Sequence, residues 1–219
     1  MNNEKAMEIK RSGCNKCTDL VAVRKQIVVC RGNPHADTVI VGQNPGAKED
    51  EYGLPFSGPA GKLLDDLIRA CGLDPEHDFF FTNVVMCHTD QNAQPTPQHI
   101  SNCSSNFQAM TSGFKKFLAI GRIAAVGTCT SYYPEKATSL SMTLPMKDIV
   151  TRGVPITMRN NRLLFVTYHT SHLLRMGLQI TSIDNPFIQT VKNEIALAKR
   201  YTPASSKNLK VNVAEGSIF

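Results

Sequence analysis

The chain has 219 residues, of which 42% are hydrophobic and 19% charged, and a formal net charge of +6. That length and balance suit one soluble globular domain with a full core. They exclude a bilayer-spanning helix, because apolar runs such as Phe79 to Phe81 and Leu163 to Val166 fall far short of the roughly 20 residues a span needs. The surplus of positive charge favours an anionic partner, but many proteins without such a partner carry as much. The segment Met1 to Lys10 is polar and charged and reads as no secretory signal, so a cytoplasmic protein is expected. Seven cysteines, an odd number with one Cys-x2-Cys, fit metal ligation in a reducing compartment better than a disulfide framework.

In chain order, residues 1–26 predict one helix leading into a loop that carries Cys14 and Cys17. Strands are expected at Ile27 to Cys30 and Thr38 to Val41, separated by the turn Gly32-Asn33-Pro34. Gly42 to Gly61, rich in Gly and Pro, predicts an ordered loop over the strand ends. Leu63, Leu64, Leu67 and Ile68 recur on one helical face, so Lys62 to Cys71 reads as a helix that Gly72 stops. A buried strand follows at Phe79 to Val85, then a polar loop and a helix from about Pro97 to Phe107. Lys116 to Ile120 and Leu163 to Tyr168 predict two further strands. Arg122 to Val126 opens a helix between them, and Asn185 to Arg200 closes the pattern. Residues 127–161, rich in Thr, Ser and Pro with weak periodicity, read as a variable surface insertion, and 203–219 as a flexible tail. Residues 1–202 are thus expected to form a single domain. Alternating strands and helices imply an α/β fold, three layers α/β/α around a mostly parallel central sheet.

In such sheets ligands bind at the carboxyl ends of the strands. Gln43-Asn44, Asn83 and His169 all fall directly after predicted strands, so polar groups from three strands converge on one crevice. The long loop after Gly42, with Glu49, Phe56 and Gly58-Pro59-Ala60-Gly61, has the length expected of a functional one. Cys14 and Cys17, with Cys87 and Cys103 spaced Cys-x15-Cys, supply four thiolates. They suit a [4Fe–4S] cluster or a structural zinc equally well. Cys30, Cys71 and Cys129 read as buried packing residues.

The runs GQNPGAKEDEYGLPFSGPAGKLLDDLI, TNVVMC, NAQPTP, AIGRIAA and YHTSHLLR, in this order from Cys14 to Arg175, resemble the iron–sulfur family 4 of the uracil-DNA glycosylases. The resemblance implies base flipping from DNA and hydrolysis of the N-glycosidic bond of deoxyuridine. It favours [4Fe–4S] over zinc at Cys14, Cys17, Cys87 and Cys103. It assigns Asn83 to reading the base, Phe56 to stacking on it, and Glu49, Gln43 and Asn92 to lining the pocket. An amide suits uracil because one donor and one acceptor complement O4 and N3–H. His169 would stabilise negative charge at O2. Leu173 matches the apolar wedge that enters the duplex, and Arg175 and Arg122 are candidate phosphate contacts.

Three positions depart from the family. Gln43-Asn44 stands where it usually has Glu-Ala, Thr170 where it has proline, and His172 where it has an aromatic residue. Asn44 can hydrogen-bond an attacking water, as in the mismatch-specific and single-strand-selective branches. The expected activity is therefore excision of uracil, or of a related deaminated or modified base, from DNA by a monomeric enzyme. The alternative is a DNA-binding or base-sensing protein of the same fold with little or no hydrolysis.

Overall fold

A computed structural model describes residues 2–139 and 145–202. Helices α1 (Asn2–Arg11) and α2 (Thr18–Val23) precede strands β1 (Cys30–Gly32) and β2 (Thr38–Gly42). Helices α3 (Ala47–Tyr52), α4 (Pro59–Arg69) and α5 (Pro75–Asp78) lead to β3 (Phe79–Asn83). Next come α6 (Pro97–Thr111), β4 (Lys116–Ile120), α7 (Arg122–Tyr132), α8 (Pro134–Ser139) and α9 (Met146–Ile149). The hairpin β5 (Ile156–Met158) and β6 (Arg162–Thr167), then α10 (Thr170–Arg175) and α11 (Pro186–Arg200), complete the described fold.

The six strands form one sheet in the order β1-β3-β2-β4-β6-β5. Its four central strands are parallel, and the short edge strands β1 and β5 run antiparallel to β3 and β6. Strand side chains alternate between two cores, as the period of two requires. Val39, Val41, Phe80, Phe117, Ala119, Leu164 and Val166 pack with α1, α2, α6 and α7. Ile40, Phe79, Phe81, Leu118, Ile120 and Phe165 pack with α4, α10 and α11. Both faces are covered, which explains the near-continuous apolar runs of the central strands. From β2 the chain crosses to β3 on one side and then to β4 on the other, so the strand order reverses at β2. The carboxyl end of β2 is therefore where a crevice opens.

Several boundaries differ from the reading of the sequence. The N-terminal segment is two helices, parted at Gly13, whose φ of +58° is left-handed. Ile27 to Val29 lie outside β1, although they are fully buried and Val28 N–H bonds the Met86 carbonyl. The loop Gly42 to Gly61 contains α3, and α4 starts at Pro59, three residues early. Helix α6 runs to Thr111, begun by a Thr96 cap that accepts from His99 N–H. Gly127 to Tyr132 are not surface chain. They continue α7 under the sheet, with Gly127, Thr128, Cys129 and Ser131 buried. A helix buried on nearly every side shows no amphipathic stripe, which is why its periodicity looked weak. Ile156 to Met158 likewise form the edge strand β5. Residues 140–144 of that stretch, and the tail at 203–219, lie outside the described residues.

Candidate active site

At the carboxyl ends of the parallel strands a cavity of about 260 Å³ is lined by Gln43, Asn44, Glu49, Phe56, Asn83, Asn92, His169 and Arg175. Register explains the convergence of the first two loops. Gly42 pairs with Asn83 across β2 and β3, so residue 43 and the Asn83 side chain leave the sheet side by side. Gly42 is required there. A Cβ on it would stand 2.2 Å from Asn83 Oδ1 and 2.8 Å from Phe56 Cζ. Asn83 is buried at the foot of the cavity, and no described residue hydrogen-bonds its side-chain amide.

Phe56 reaches the cavity through a strained turn. Its φ of +58° is left-handed, a conformation costing on the order of 1–3 kcal/mol for a bulky residue. The strain is held in place from two sides. Gly61 lies so close that a Cβ would sit 1.8 Å from the Phe56 carbonyl oxygen. Behind the ring, Phe81 meets it edge-on at 5.6 Å, with the Arg31 guanidinium 3.9 Å above the Phe81 ring centroid. Arg31 also donates to the Pro55 carbonyl at 2.9 Å and pairs with Asp65 at 2.6 Å. Glu49 closes the loop by accepting Gly58 N–H at 2.8 Å, at the first turn of α4.

His169 follows β6 and caps α10. Its Nδ1 accepts the Ser171 backbone N–H at 3.1 Å, with Ser171 Oγ at 2.7 Å. A nitrogen that accepts a backbone N–H carries no proton, so the neutral ring bears its hydrogen on Nε2. Enclosure lowers the His169 pKa to about 4, and the charges of Arg175 and His172 add to the effect. The cavity therefore holds a neutral imidazole with one N–H donor free.

Asn44 is oriented from the other wall. Its Nδ2 donates to Thr89 Oγ1 at 3.0 Å and to the Pro45 carbonyl at 3.1 Å. Its Oδ1 is buried and accepts from no described residue. Asn92 enters from the loop after β3, where it and Gln91 both have left-handed backbones.

A groove of about 400 Å³ adjoins the cavity and shares Gln43, Asn92, His169 and Arg175 with it. Arg122 and His172 line this groove, and Arg122 with Arg175 gives it a cationic wall. Leu173 does not. It has no exposed surface and packs in the core with α4 and α11, so the wedge role expected of it is corrected: a side chain sealed in the core cannot enter a duplex. The exposed side of α10 belongs to His172 and Arg175, with Met176 just beyond. Thr170, at the family's proline position, is fully buried, and its hydroxyl has no partner among the described residues.

Cys14, Cys17, Cys87 and Cys103 line one further cavity, between the α1–α2 turn, the segment after β3, and α6. Among the described residues no three His, Cys, Asp or Glu side chains converge closely enough for a single metal ion. Four thiols around one space are the donor set of a metal centre. Donors stand ready at the sulfurs: Arg24 Nη1 lies 2.9 Å from Cys87 Sγ and Asn102 Nδ2 3.4 Å from Cys17 Sγ. N–H groups so placed stabilise sulfur that carries negative charge. Cys129 is buried away from this space, and Cys30 and Cys71 are half-buried.

The sequence reading missed Ser171, Thr89, Arg24 and Asn102. Ser171 was accessible in principle, because a hydroxyl residue two positions after a helix-capping histidine is a local pattern. The other three meet their partners over 45 to 85 positions and leave no local signal.

Residues 30–193 match the family model described as the uracil DNA glycosylase superfamily. A type-4 uracil-DNA glycosylase of Thermotoga maritima is 34% identical over 177 residues, 78% of this chain and 85% of that protein. The type-4 uracil-DNA glycosylase of Archaeoglobus fulgidus is 37% identical over 114 residues, 51% of this chain and 56% of that protein. That of Pyrobaculum aerophilum is 38% identical over 103 residues, 47% of this chain and 51% of that protein.

Proposed function

The chain belongs to the uracil DNA glycosylase superfamily, and from that membership we propose that it is a monofunctional glycosylase releasing uracil from DNA by the residues gathered in the 260 Å³ cavity. The observation that carries the reading is the neutral His169, with Nδ1 occupied by Ser171 and Nε2–H left to donate.

In the proposed reaction the flipped uracil stacks on Phe56, and its polar edge meets the Asn83 amide, which donates to O4 and accepts from N3–H. Cytosine mismatches both. Breaking the C1′–N1 bond sends the electron pair into the ring, where charge grows at O2. His169 Nε2–H donates to that oxygen. In an enclosed, low-dielectric site a preorganised donor of this kind is worth more than in water. The sugar, now cationic at C1′, takes the lone pair of a water held by Asn44, and that water releases a proton to solvent. Asn44 is no base, so it orients the nucleophile rather than deprotonating it. Gln43, Glu49 and Asn92 shape the walls of the pocket. Arg122 and Arg175, on the adjoining groove, are proposed to meet the phosphates either side of the flipped nucleotide.

Cys14, Cys17, Cys87 and Cys103 are proposed to hold a [4Fe–4S] cluster, supported by the shared cavity and by the Arg24 and Asn102 donors at its sulfurs. When bound, the cluster supplies cross-links that tie the N-terminal helices to α6 and to the strand end carrying Asn83. Among the described residues no helix is long and apolar enough to cross a membrane.

The test is strand cleavage by alkali after incubation with oligonucleotides carrying one uracil, hypoxanthine, xanthine or hydroxymethyluracil. Release of uracil is expected, with His169→Ala slower by roughly a hundredfold to a thousandfold, the scale of losing one oxyanion donor. Full activity of His169→Ala would remove the assigned role. No release of any base by the parent protein would leave a DNA-binding protein of this fold.

A further inference from the structure

We propose that Thr89 is a positioning residue which holds the Asn44 amide with its carbonyl oxygen, rather than its NH2, toward the attacking water. The proposal rests on the glycosylase reading above. Thr89 is buried in the loop after β3. Its hydroxyl lies 2.6 Å from the Ala93 carbonyl oxygen, which can only accept, so the hydroxyl hydrogen is committed there. What remains on Oγ1 is a lone pair, and it faces the Asn44 amide at 3.0 Å. The second neighbour, the Pro45 carbonyl oxygen at 3.1 Å, is an acceptor as well and is also contacted by His88 Nδ1. Two acceptors therefore surround one end of the amide. That end must be the NH2. Turned over, the amide would set its oxygen against both and lose both hydrogen bonds.

The orientation matters because of what a nucleophilic water needs. It must keep a lone pair for C1′ and give its hydrogens to acceptors. An amide NH2 facing it would donate to that lone pair and blunt the attack. An amide oxygen takes a hydrogen and leaves the lone pair free. Asn44 Oδ1 is the buried, unpartnered atom that remains once Thr89 and Pro45 have claimed the nitrogen. Thr89 never touches the substrate in this scheme. It acts through Asn44, so its substitution should lower the rate and leave substrate affinity unchanged.

The experiment compares Thr89→Val, which removes the hydroxyl at nearly constant volume, with Thr89→Ser, which keeps it. Under single-turnover conditions with saturating protein, Thr89→Val should release uracil about tenfold more slowly, the effect of losing one neutral hydrogen bond. Thr89→Ser should stay within about twofold of the parent. Affinity for a duplex carrying uncleavable 2′-fluoro-2′-deoxyuridine should be the same in all three. In an Asn44→Ala background Thr89→Val should cost nothing more, since the group it positions is gone. An equal loss in that background, a parental rate for Thr89→Val, or a matching fall in affinity would overturn the proposal. The Asn44 side-chain NH2 resonances, assigned by their disappearance in Asn44→Ala, should be protected from solvent exchange in the parent and lose protection in Thr89→Val. Unprotected resonances in the parent would overturn the anchoring whatever the activity. Protected resonances in a parent that releases no uracil would uphold it and remove the glycosylase reading instead.

Discussion

Lowering the pH from about 7.5 to about 5.5 should leave the single-turnover rate of uracil release almost level, and the reason lies in the enclosure of His169. With its pKa lowered to about 4, about 97% of the imidazole stays neutral at pH 5.5, whereas about 9% would at the ordinary value near 6.5. Protonation would also fill Nδ1, setting N–H against the Ser171 N–H that now donates to it. The ring would lose its orientation as well as its charge state. The expected change is under twofold, against a fall of about tenfold for an unshifted histidine. The assay is single-turnover cleavage with saturating protein, paired with NMR titration of the His169 ring assigned through His169→Ala. A rate that falls with a midpoint near 6.5, in step with the ring titration, would refute the reasoning.

The same shift costs stability at low pH. The unfolded chain binds the His169 proton below about 6.5, and the fold only below about 4. Between those values the unfolded state holds more protons, so stability declines as the pH drops through the window and levels off beneath it. The ceiling is about 3 kcal/mol, reduced because the ring is partly open to the cavity.

Leu173→Ala should lower the unfolding free energy by about 2–5 kcal/mol in urea denaturation, as expected of a buried leucine, and should slow excision from single strands and duplex alike. Unchanged stability with a loss confined to duplex would restore the wedge. Protein purified anaerobically should be brown, with broad absorbance near 400 nm (roughly, as for thiolate-ligated iron–sulfur centres). Cys87→Ser should bleach it and lower the melting temperature, and stoichiometric zinc without iron would overturn the cluster assignment.

Much of the site was legible in the sequence because its chemistry sits at strand ends. Strands of apolar residues ending in Gly42-Gln43-Asn44, Asn83 and His169 announce both the parallel sheet and the edge where the cavity opens. Lys116 to Ile120 was read to the residue, since a short apolar run opened by a lysine and stopped by Gly121 has a distinct length and composition. The four cysteines were equally plain, as their spacing is local in each pair. The second half of α7 was not, because burial on all sides erases the periodicity by which a helix is recognised.

What the tertiary structure alone decided is orientation. The sequence places Leu173 in a motif, but only the packing of α10 on α4 and α11 turns that side chain inward and leaves His172 and Arg175 outside. The sequence names His169 and Asn44, but the tautomer of one and the amide direction of the other depend on Ser171, Thr89 and Pro45. Residue identity is carried locally, along the chain. Which atom of a side chain is free to react depends on neighbours that folding brings from tens of residues away, and no local pattern encodes that.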